Sequence, residues 1–187
     1  LFFNTNYLLY TMNNKFKTVV LSLKTATDRR THITSLMEKN SLDFEFFDAI
    51  SGEEITQEIE DKYFKYADYY HYDVNQRGLM AIFMSHLEIL KMAFTTETNL
   101  LILEDDVDYV GGLDFNSIDF DTFDLYNLCS PNGLPMVGSH AMFVSHQGAK
   151  KIYDYLMSTK ITQGYDWELI KISSIKTIFS DIHYFPQ

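Results

Sequence analysis

Three acidic residues follow a run of large aliphatic side chains in the middle of the chain. Residues 100–103 are Leu-Leu-Ile-Leu, and Glu104, Asp105 and Asp106 come directly after them. Four aliphatic residues without polar alternation predict a strand that is buried on both faces of a mostly parallel sheet. The carboxyl ends of such strands border the ligand crevice of an open α/β sheet. We therefore expect the three acids at the mouth of that crevice.

The charge of this triplet indicates what it could bind. Adjacent carboxylates repel one another, which opposes folding unless a cation neutralises them. Hard divalent ions such as Mn²⁺ and Mg²⁺ take oxygen ligands from carboxylates and from substrate phosphates. The triplet is therefore interpreted as a metal site for a phosphorylated ligand. The alternative is an acidic turn that contacts only water.

Two arginines follow the first predicted strand. Residues 17–23 predict that strand because their centre is β-branched, and the next segment predicts a turn into a helix capped by Thr27 or Asp28. A strand, a short turn and a helix form the opening of a nucleotide-binding α/β unit. Arg29 and Arg30 would lie where they can meet a phosphate or a base. The alternative is that both are solvated in the first helical turn.

A strongly periodic helix precedes the acid-tipped strand. Its predicted inner face comprises Leu79, Ile82, Phe83, His86, Leu87, Leu90 and Phe94. Ser85 and His86 lie on the inner half, from which they could point into the crevice. The alternative is a hydrogen-bonded histidine in the core.

A second pair of acids flanks the only tryptophan of the chain. Asp166, Trp167 and Glu168 follow the turn at Gly164. Two carboxylates beside an indole could form a catalytic or acceptor-binding element. The alternative is that Asp166 caps a final helix and Trp167 packs in the core.

The remaining segments predict the architecture. Further strands are predicted at residues 43–50, 125–128, 141–144, 175–179 and 182–185, and further helices within residues 53–72 and at 147–157. Strands that alternate with helices, without an internal repeat, predict one doubly wound α/β domain. We assign residues 17–187 to this domain and residues 1–16 to an N-terminal extension, in which Met12 could be the true start.

Composition excludes several classes of protein. A formal net charge of -11 and the absence of a dense Lys/Arg run argue against a general nucleic-acid binder. The single cysteine, Cys129, excludes an intrachain disulfide and fits a reducing compartment. No stretch of membrane-spanning length is uniformly apolar. Residues 1–12 lack a basic flank and a small-residue cleavage site, so no signal peptide is predicted.

Four blocks occur in order along the chain and carry a resemblance. They are residues 20–23 with Asp28-Arg29-Arg30, residues 47–52, Gly78 with Ser85-His86, and residues 103–107. Together they resemble the signature blocks of glycosyltransferase family 25, which contains bacterial lipooligosaccharide galactosyltransferases and procollagen galactosyltransferases. Residues 123–125, residues 139–149, and Asp166 with Leu169 resemble later blocks, so the similarity extends from about residue 18 to residue 187.

The resemblance implies a fold and an activity. The fold would be GT-A-like (Rossmann-like), a nucleotide-sugar-binding α/β domain with a mostly parallel central sheet. The activity would be the inverting transfer of a hexose, commonly galactose, from a UDP-sugar to a hydroxyl of a glycan or of hydroxylysine, with Mn²⁺ or Mg²⁺ as cofactor. The partners would thus be a UDP-sugar and a glycan or hydroxylysine-containing acceptor, with no nucleic acid.

The resemblance also implies roles for individual residues. Glu104-Asp105-Asp106 is similar to the Asp-x-Asp motif of such folds, with Glu in the first place, which implies Glu104 and Asp106 as metal ligands. Donor contacts are implied for Leu23, Arg29, Arg30, Ser85, His86, Glu104 and Asp105. Asp166 is the implied general base, with Glu168 in reserve.

The chain departs from the family pattern at two points. Residues 81–84, Ala-Ile-Phe-Met, stand where many members carry Gly-Cys or Gly-Ala before Ser-His. Members usually continue beyond the block that Pro186-Gln187 resembles, which leaves a C-terminal truncation open. A late metal ligand could then be missing or be supplied by His183, for which a structural role is the alternative.

Location and rival functions complete the expectations. Bacterial relatives act in the cytoplasm at the inner membrane, which implies a cytoplasmic protein with at most peripheral membrane association, while collagen-modifying relatives leave the secretory lumen open. One rival is a non-catalytic sugar-nucleotide or glycan-binding module of the same fold. Another is a Mg²⁺-dependent phosphoacceptor domain like a response-regulator receiver, although its acidic pair would follow the first strand.

Overall fold

The computed structural model describes residues 15–65, 76–129 and 138–187, and six strands within them form one sheet. The strands are β1 Lys17–Ser22, β2 Glu45–Asp48, β3 Leu100–Glu104, β4 Leu125–Asn127, β5 Ala141–Val144 and β6 Thr177–Phe179. Their order across the sheet is β2-β1-β3-β5-β4-β6. β5 is antiparallel to both of its neighbours, and the other pairings are parallel. The sheet is therefore mixed but mostly parallel.

Helices cover both faces of this sheet. They are α1 Thr27–Lys39, α2 Gln57–Tyr63, α3 Gln76–Thr95, α4 His146–Ser158 and α5 Tyr165–Ile170, with short 3-10 turns at Gly52–Glu54 and Phe115–Ser117. α3 and α4 pack on one face, where they join the apolar cluster that contains Leu100 and Ile102. α1 packs on the other face with Leu101 and Leu103. The four aliphatic residues of β3 are thus buried on both faces, as their unbroken run predicted.

The long helix α3 is buried along one side. Its buried residues are Met80, Ala81, Phe83, Ser85, His86, Leu87, Ile89, Leu90 and Ala93. Ile82, which was predicted to face inward, is 41% exposed, so that assignment was wrong. Among the described residues α3 is the one helix long and apolar enough, by length and composition, to cross a membrane, and half of its most apolar window is buried inside the fold.

Several predicted boundaries and caps were wrong. Helix α1 begins after Ala26, and no side chain caps it, so neither Thr27 nor Asp28 is its cap. Residues 182–185 form no strand. They run beside the loop after β3, where single backbone hydrogen bonds, such as the one from Val110 N–H to Tyr184 O, replace a ladder. The predicted helix within residues 53–72 is the short α2, and the part from residue 66 lies outside the described residues.

The architecture confirms an α/β domain with a Rossmann-like, mostly parallel sheet. The narrower GT-A assignment stays a prediction. A receiver domain would have a parallel sheet in the order 2-1-3-4-5. The reversed strand β5 and the two further strands beyond it differ from that order.

Candidate active site

The carboxyl ends of the parallel strands bring polar side chains to one edge of the sheet. β1 ends at Ser22, β2 at Asp48, β3 at Glu104 and β4 at Asn127. β5 runs in the opposite direction, so the residue before its first position, His140, lies at the same edge. The candidate site is therefore assembled from residues that are distant in sequence but share this edge.

Asp105 is tied into the fold. It is buried, and its Oδ2 accepts a hydrogen bond from Ser22 Oγ at 2.7 Å. Its Oδ1 accepts one from Arg29 Nη1 at 3.0 Å. This hydrogen bond and the charge of Asp105 raise the pKa of Arg29 above its ordinary value. Both oxygens of Asp105 are thus in use, and Arg29 supplies a positive charge at the triplet.

Glu104 points towards α3 and the start of β5. Its Oε1 lies 3.4 Å from His86 Nε2 and 3.4 Å from Ser139 Oγ. Burial by itself would raise the pKa of Glu104. The hydrogen bond and charge of His86, the charge of His140 and the Ser139 hydrogen bond outweigh burial and hold that pKa below its ordinary value. Glu104 is therefore kept as a carboxylate.

Asp106 is the most accessible of the three acids. Its side chain is 37% exposed, against 10% for Asp105 and 21% for Glu104. Its oxygens accept hydrogen bonds from Arg29 Nη1 at 3.3 Å and from Gln187 Nε2 at 3.0 Å. Both bonds are exposed to solvent, so an incoming ligand can replace them.

The donor set fits a hard cation in part. Glu104 and Asp106 offer the carboxylate oxygens that Mn²⁺ and Mg²⁺ prefer. Within the part of the chain that the structure describes, no group of three or more His, Cys, Asp or Glu residues is arranged to hold a metal. Mg²⁺ is commonly bound by one or two carboxylates together with substrate phosphates and water. The residues present therefore suit a metal that arrives with a phosphorylated ligand.

His183 contacts the histidine that precedes β5. Its Nε2 is 3.4 Å from Nε2 of His140, whose own Nε2 lies 2.9 Å from the backbone oxygen of Phe185. Burial of His140 lowers its pKa below the ordinary value, which favours the neutral ring. The contacts of His183 correspond to the structural role that was the alternative to metal binding.

Arg30 and Leu23 form the turn between β1 and α1. The Arg30 guanidinium donates to the backbone oxygens of Ser22 at 3.0 Å and Leu23 at 3.1 Å. It also pairs with Asp48, lies over the ring of Phe46, and lowers the pKa of Asp48. Arg30 thus holds the ends of β1 and β2 together, while the side chain of Leu23 is 39% exposed beside them.

Ser85 and His86 have different neighbours. Ser85 Oγ donates to Ala81 O and accepts from the backbone N–H of Ile50, so it joins α3 to the segment after β2. His86 is fully buried, with Nε2 towards Glu104. Its ring is stacked on Tyr165, with ring centroids 4.2 Å apart and planes 8° apart. Of the two residues, only His86 contacts the acidic triplet.

Asp166 lies in the first turn of α5. Gly164 is the residue before this helix, so Asp166 is not its cap, and Trp167 is 51% exposed rather than packed in the core. The carboxylate of Asp166 is half-buried and accepts a hydrogen bond from the backbone N–H of Trp167. The alternative interpretation of this segment was thus wrong on both points.

Glu168 is buried and its carboxylate is occupied. The donors to Oε1 are the backbone N–H and Oγ1 of Thr162, the backbone N–H of Gln163, and Nζ of Lys171. These bonds fix the turn that leads into α5. Asp166 keeps the freer carboxylate of the pair, and this difference favours it over Glu168 as a base.

Cys129 is buried after the end of β4, and its Sγ donates to the backbone oxygen of Ala141 at 3.1 Å. Burial raises the pKa of its thiol to about 12, and the negative charges of Glu104 and Asp166 both contribute to the increase. Both carboxylates therefore act on one buried thiol. His86 contacts Glu104 and stacks on Tyr165, the residue before Asp166, so Asp166 lies on the same side of the domain as the triplet.

A cavity of about 270 Å³ opens beside Asp166. Its walls among the described residues are mainly aliphatic, and they include Leu169, Ile170, Ile172, Ile175 and Phe179. Asn127 and Gly138 form the side nearest the sheet edge, where Asn127 Nδ2 donates to Gly138 O. A second cavity of about 290 Å³ lies at the start of β1 and β2, away from these acids.

Sequence reasoning missed several contributors, among them Ser22, Ser139 and Tyr165. Ser22 ends β1, and the parallel register pairs Leu21 with Glu104, so an alignment of the two strands would have brought Ser22 beside Asp105. Ser139 and Tyr165 carry no comparable signal. Their roles depend on where the tertiary fold places the start of β5 and the start of α5 relative to the three acids.

More than half of the chain matches the model of a known protein family. The model of glycosyltransferase family 25, described as an LPS biosynthesis protein, matches residues 15–117. A search of curated proteins finds no match. The matched segment is more than half of the chain and includes β1, α1, α3 and β3 with the three acids.

The unequal burial of neighbouring acids predicts unequal effects on stability. Asp105→Asn places an amide where Ser22 and Arg29 both donate, and we expect it to lower the free energy of unfolding by about 1–3 kcal/mol. Asp106→Asn, the matched control, should change it by less than about 0.5 kcal/mol, as exposed substitutions do. Urea unfolding measures both. A larger loss from Asp106→Asn would contradict the assignment.

The buried thiol predicts slow chemical labelling. With a pKa of about 12, roughly one Cys129 in 10⁴ is a thiolate at pH 8. We expect a disulfide reagent such as dithionitrobenzoate to label the native chain at least about 10³-fold more slowly than the urea-unfolded chain. Because the folded pKa is raised, the unfolded thiol ionises first, so its contribution to stability is present below about pH 9 and is lost as the pH rises towards 12. Rapid labelling of the native chain would show that the thiol is accessible.

Proposed function

The chain belongs to glycosyltransferase family 25, and on this basis we propose that it transfers a hexose from a UDP-sugar to an acceptor hydroxyl with inversion. Galactose is the proposed sugar, a glycan of the lipooligosaccharide type or a hydroxylysine is the proposed acceptor, and Mn²⁺ or Mg²⁺ is the proposed cofactor. The observation that carries the proposal is the accessible carboxylate of Asp106 at the sheet edge, inside the matched segment.

The donor side of the proposed site consists of the triplet and Arg29. Asp106 and Glu104 would hold the metal, which when bound would offset the negative charge that grows on the departing nucleotide. Asp105 would keep Arg29 and Ser22 in place and so support the site from beneath. The Arg29 side chain is 58% exposed, so it can turn from the carboxylates to a diphosphate, whose oxygens its planar guanidinium suits.

The acceptor side is proposed around Asp166. Inversion needs one base, which takes the proton of the acceptor hydroxyl as that oxygen attacks the anomeric carbon from the face opposite the nucleotide. Asp166 has one backbone donor and borders the cavity of about 270 Å³, which supports it as this base. The aliphatic walls of that cavity would exclude water from the acceptor hydroxyl.

Nucleotide release tests the donor side. The purified chain is incubated with a panel of UDP-sugars and Mn²⁺, with and without simple glycan acceptors, and UDP release is measured. We expect release that requires the metal and is removed by a chelator. Asp106→Asn should lower kcat/KM by about 10²-fold or more, because it removes a charged contact made to the metal and donor.

Asp108→Asn is the matched control for that variant. Asp108 is an exposed carboxylate two residues further on that pairs with His32, so its loss should leave the rate unchanged. Tight UDP and Mn²⁺ binding without any release would favour the non-catalytic binding module. Equal losses in the two variants would remove Asp106 from the donor site.

A second pair of variants tests the proposed base. Asp166→Asn should lower kcat by about 10²–10⁴-fold, which is the usual contribution of a general base, while the affinity for UDP and Mn²⁺ stays within about threefold. Asp154→Asn on α4 is the control, because Asp154 is exposed and pairs only with Lys150 among the described residues. Full transfer by Asp166→Asn would remove Asp166 from this role.

A further inference from the structure

Tyr165 is the first residue of α5 and immediately precedes Asp166. Its side chain is buried, and its ring is stacked on His86 with centroids 4.2 Å apart and planes only 8° apart. The rings of Phe83 and Tyr165 form a T-shaped pair, with centroids 5.4 Å apart and an interplanar angle of 85°. Tyr165 therefore fixes the beginning of the short helix α5 against the long helix α3.

Within the described part of the chain, the hydroxyl of Tyr165 is unpaired. Among the described residues neither this hydroxyl nor Nδ1 of His86 has a hydrogen-bond partner, although both atoms are buried. Burial raises the pKa of Tyr165, and the charge of Glu104 adds to the increase. An unpaired buried hydroxyl opposes folding, and a phenylalanine of the same shape would avoid that cost. The contribution of Tyr165 to folding therefore comes from its ring and not from its hydroxyl.

The ring connects the two halves of the proposed site. His86, on which it stacks, turns Nε2 to Glu104 at 3.4 Å. On the other side, the backbone of Tyr165 continues directly into Asp166. A continuous line of contacts therefore runs from the end of β3 through α3 to the start of α5.

Two buried residues of α5 flank Asp166. One is Tyr165 with its buried ring, and the other is Glu168, which fixes the preceding turn through Thr162 and Gln163. Asp166 lies between them and makes a hydrogen bond only to the next backbone N–H among the described residues. The position of its carboxylate relative to Glu104 is therefore set by its neighbours rather than by its own contacts.

We infer that Tyr165 is a positioning residue, whose ring, stacked on His86, holds Asp166 at a fixed distance from the acids at the end of β3. This inference rests on the proposed function, in which Asp166 is the base and the triplet binds the donor. Tyr165 itself contacts neither substrate nor metal in this role. Removing the ring should thus slow the reaction without weakening donor binding.

Two substitutions separate the ring from the hydroxyl. Tyr165→Phe keeps the stack and removes the unpaired hydroxyl, so kcat should stay within about twofold of the wild type and Tm should rise by about 2–4 °C. Tyr165→Leu removes the stack, and kcat should fall by about 10²-fold, as a displacement of ~1 Å does. The KM for the UDP-sugar should change by less than about threefold, since the donor side is intact.

Tyr153→Leu is the matched control. Tyr153 lies on α4 and packs against Phe94 of α3 with ring centroids 5.2 Å apart, so its loss also removes an aromatic pair between helices. It should lower Tm but leave kcat per folded molecule unchanged. Circular dichroism and thermal unfolding give the folded fraction of every variant. A merely structural Tyr165 predicts the same behaviour for both leucine variants.

Tyr165→Met is made in parallel, because methionine fills an irregular space better than leucine and so protects the fold. Wild-type kcat in a folded Tyr165→Leu or Tyr165→Met variant overturns the positioning role. The positioning role is also overturned if kcat and donor affinity change equally, or if Tyr165→Phe loses as much kcat as Tyr165→Leu. Unfolding of both the leucine and the methionine variant overturns it as well. Absence of turnover in the wild type would instead overturn the proposed function.

Discussion

Repulsion among three consecutive carboxylates is the constraint on which this domain's polar edge depends. The chain offsets this repulsion by giving each acid its own set of partners, with Arg29 shared by two of them: His86 for Glu104, Ser22 with Arg29 for Asp105, and Arg29 with Gln187 for Asp106. Each protein partner arrives through a different element, namely β1, α1, α3 and the C-terminal segment. The parallel pairing of β1 with β3 brings Ser22 beside Asp105, and the packing of α3 brings His86 to Glu104, where it helps to hold the pKa of Glu104 below its ordinary value.

Arg29 changes what the triplet implies about a cation. The repulsion among the acids predicts a metal from sequence alone, yet the chain supplies a guanidinium within 3.3 Å of two of them. Under the proposed function, metal and Arg29 would be alternative partners for Asp106. A metal that displaced Arg29 would free a positive charge beside the incoming diphosphate. The diphosphate of the donor would then contact two positive charges, the metal ion and Arg29, which offset its repulsion from the acids.

Sequence patterns predicted the parts of the fold that depend on local burial. The aliphatic run of β3 and the segment 141–144 became buried strands because apolar periodicity reports burial directly. Residues 182–185 were also predicted as a strand, but they lie beside the loop after β3 and pair with no strand of the sheet, which a local pattern cannot indicate. The acids could be predicted because they directly follow the apolar run of β3 in sequence. Ser22 reaches the site through the register of β1 with β3, and Tyr165 through the packing of α5 on α3, and both depend on segments distant in sequence.

Burial, more than position in a motif, separates the acids by what each can do. Glu168 receives four hydrogen bonds on one oxygen and is buried, so taking up a proton would break contacts that hold its turn. Asp105 is buried as well, and its two oxygens accept hydrogen bonds from Ser22 and Arg29. Asp166, with one backbone donor, and Asp106, with two exposed donors, keep capacity for a ligand. Asp105 and Glu168 therefore stabilise their own turns, and each leaves a nearby acid, Asp106 or Asp166, accessible at the crevice.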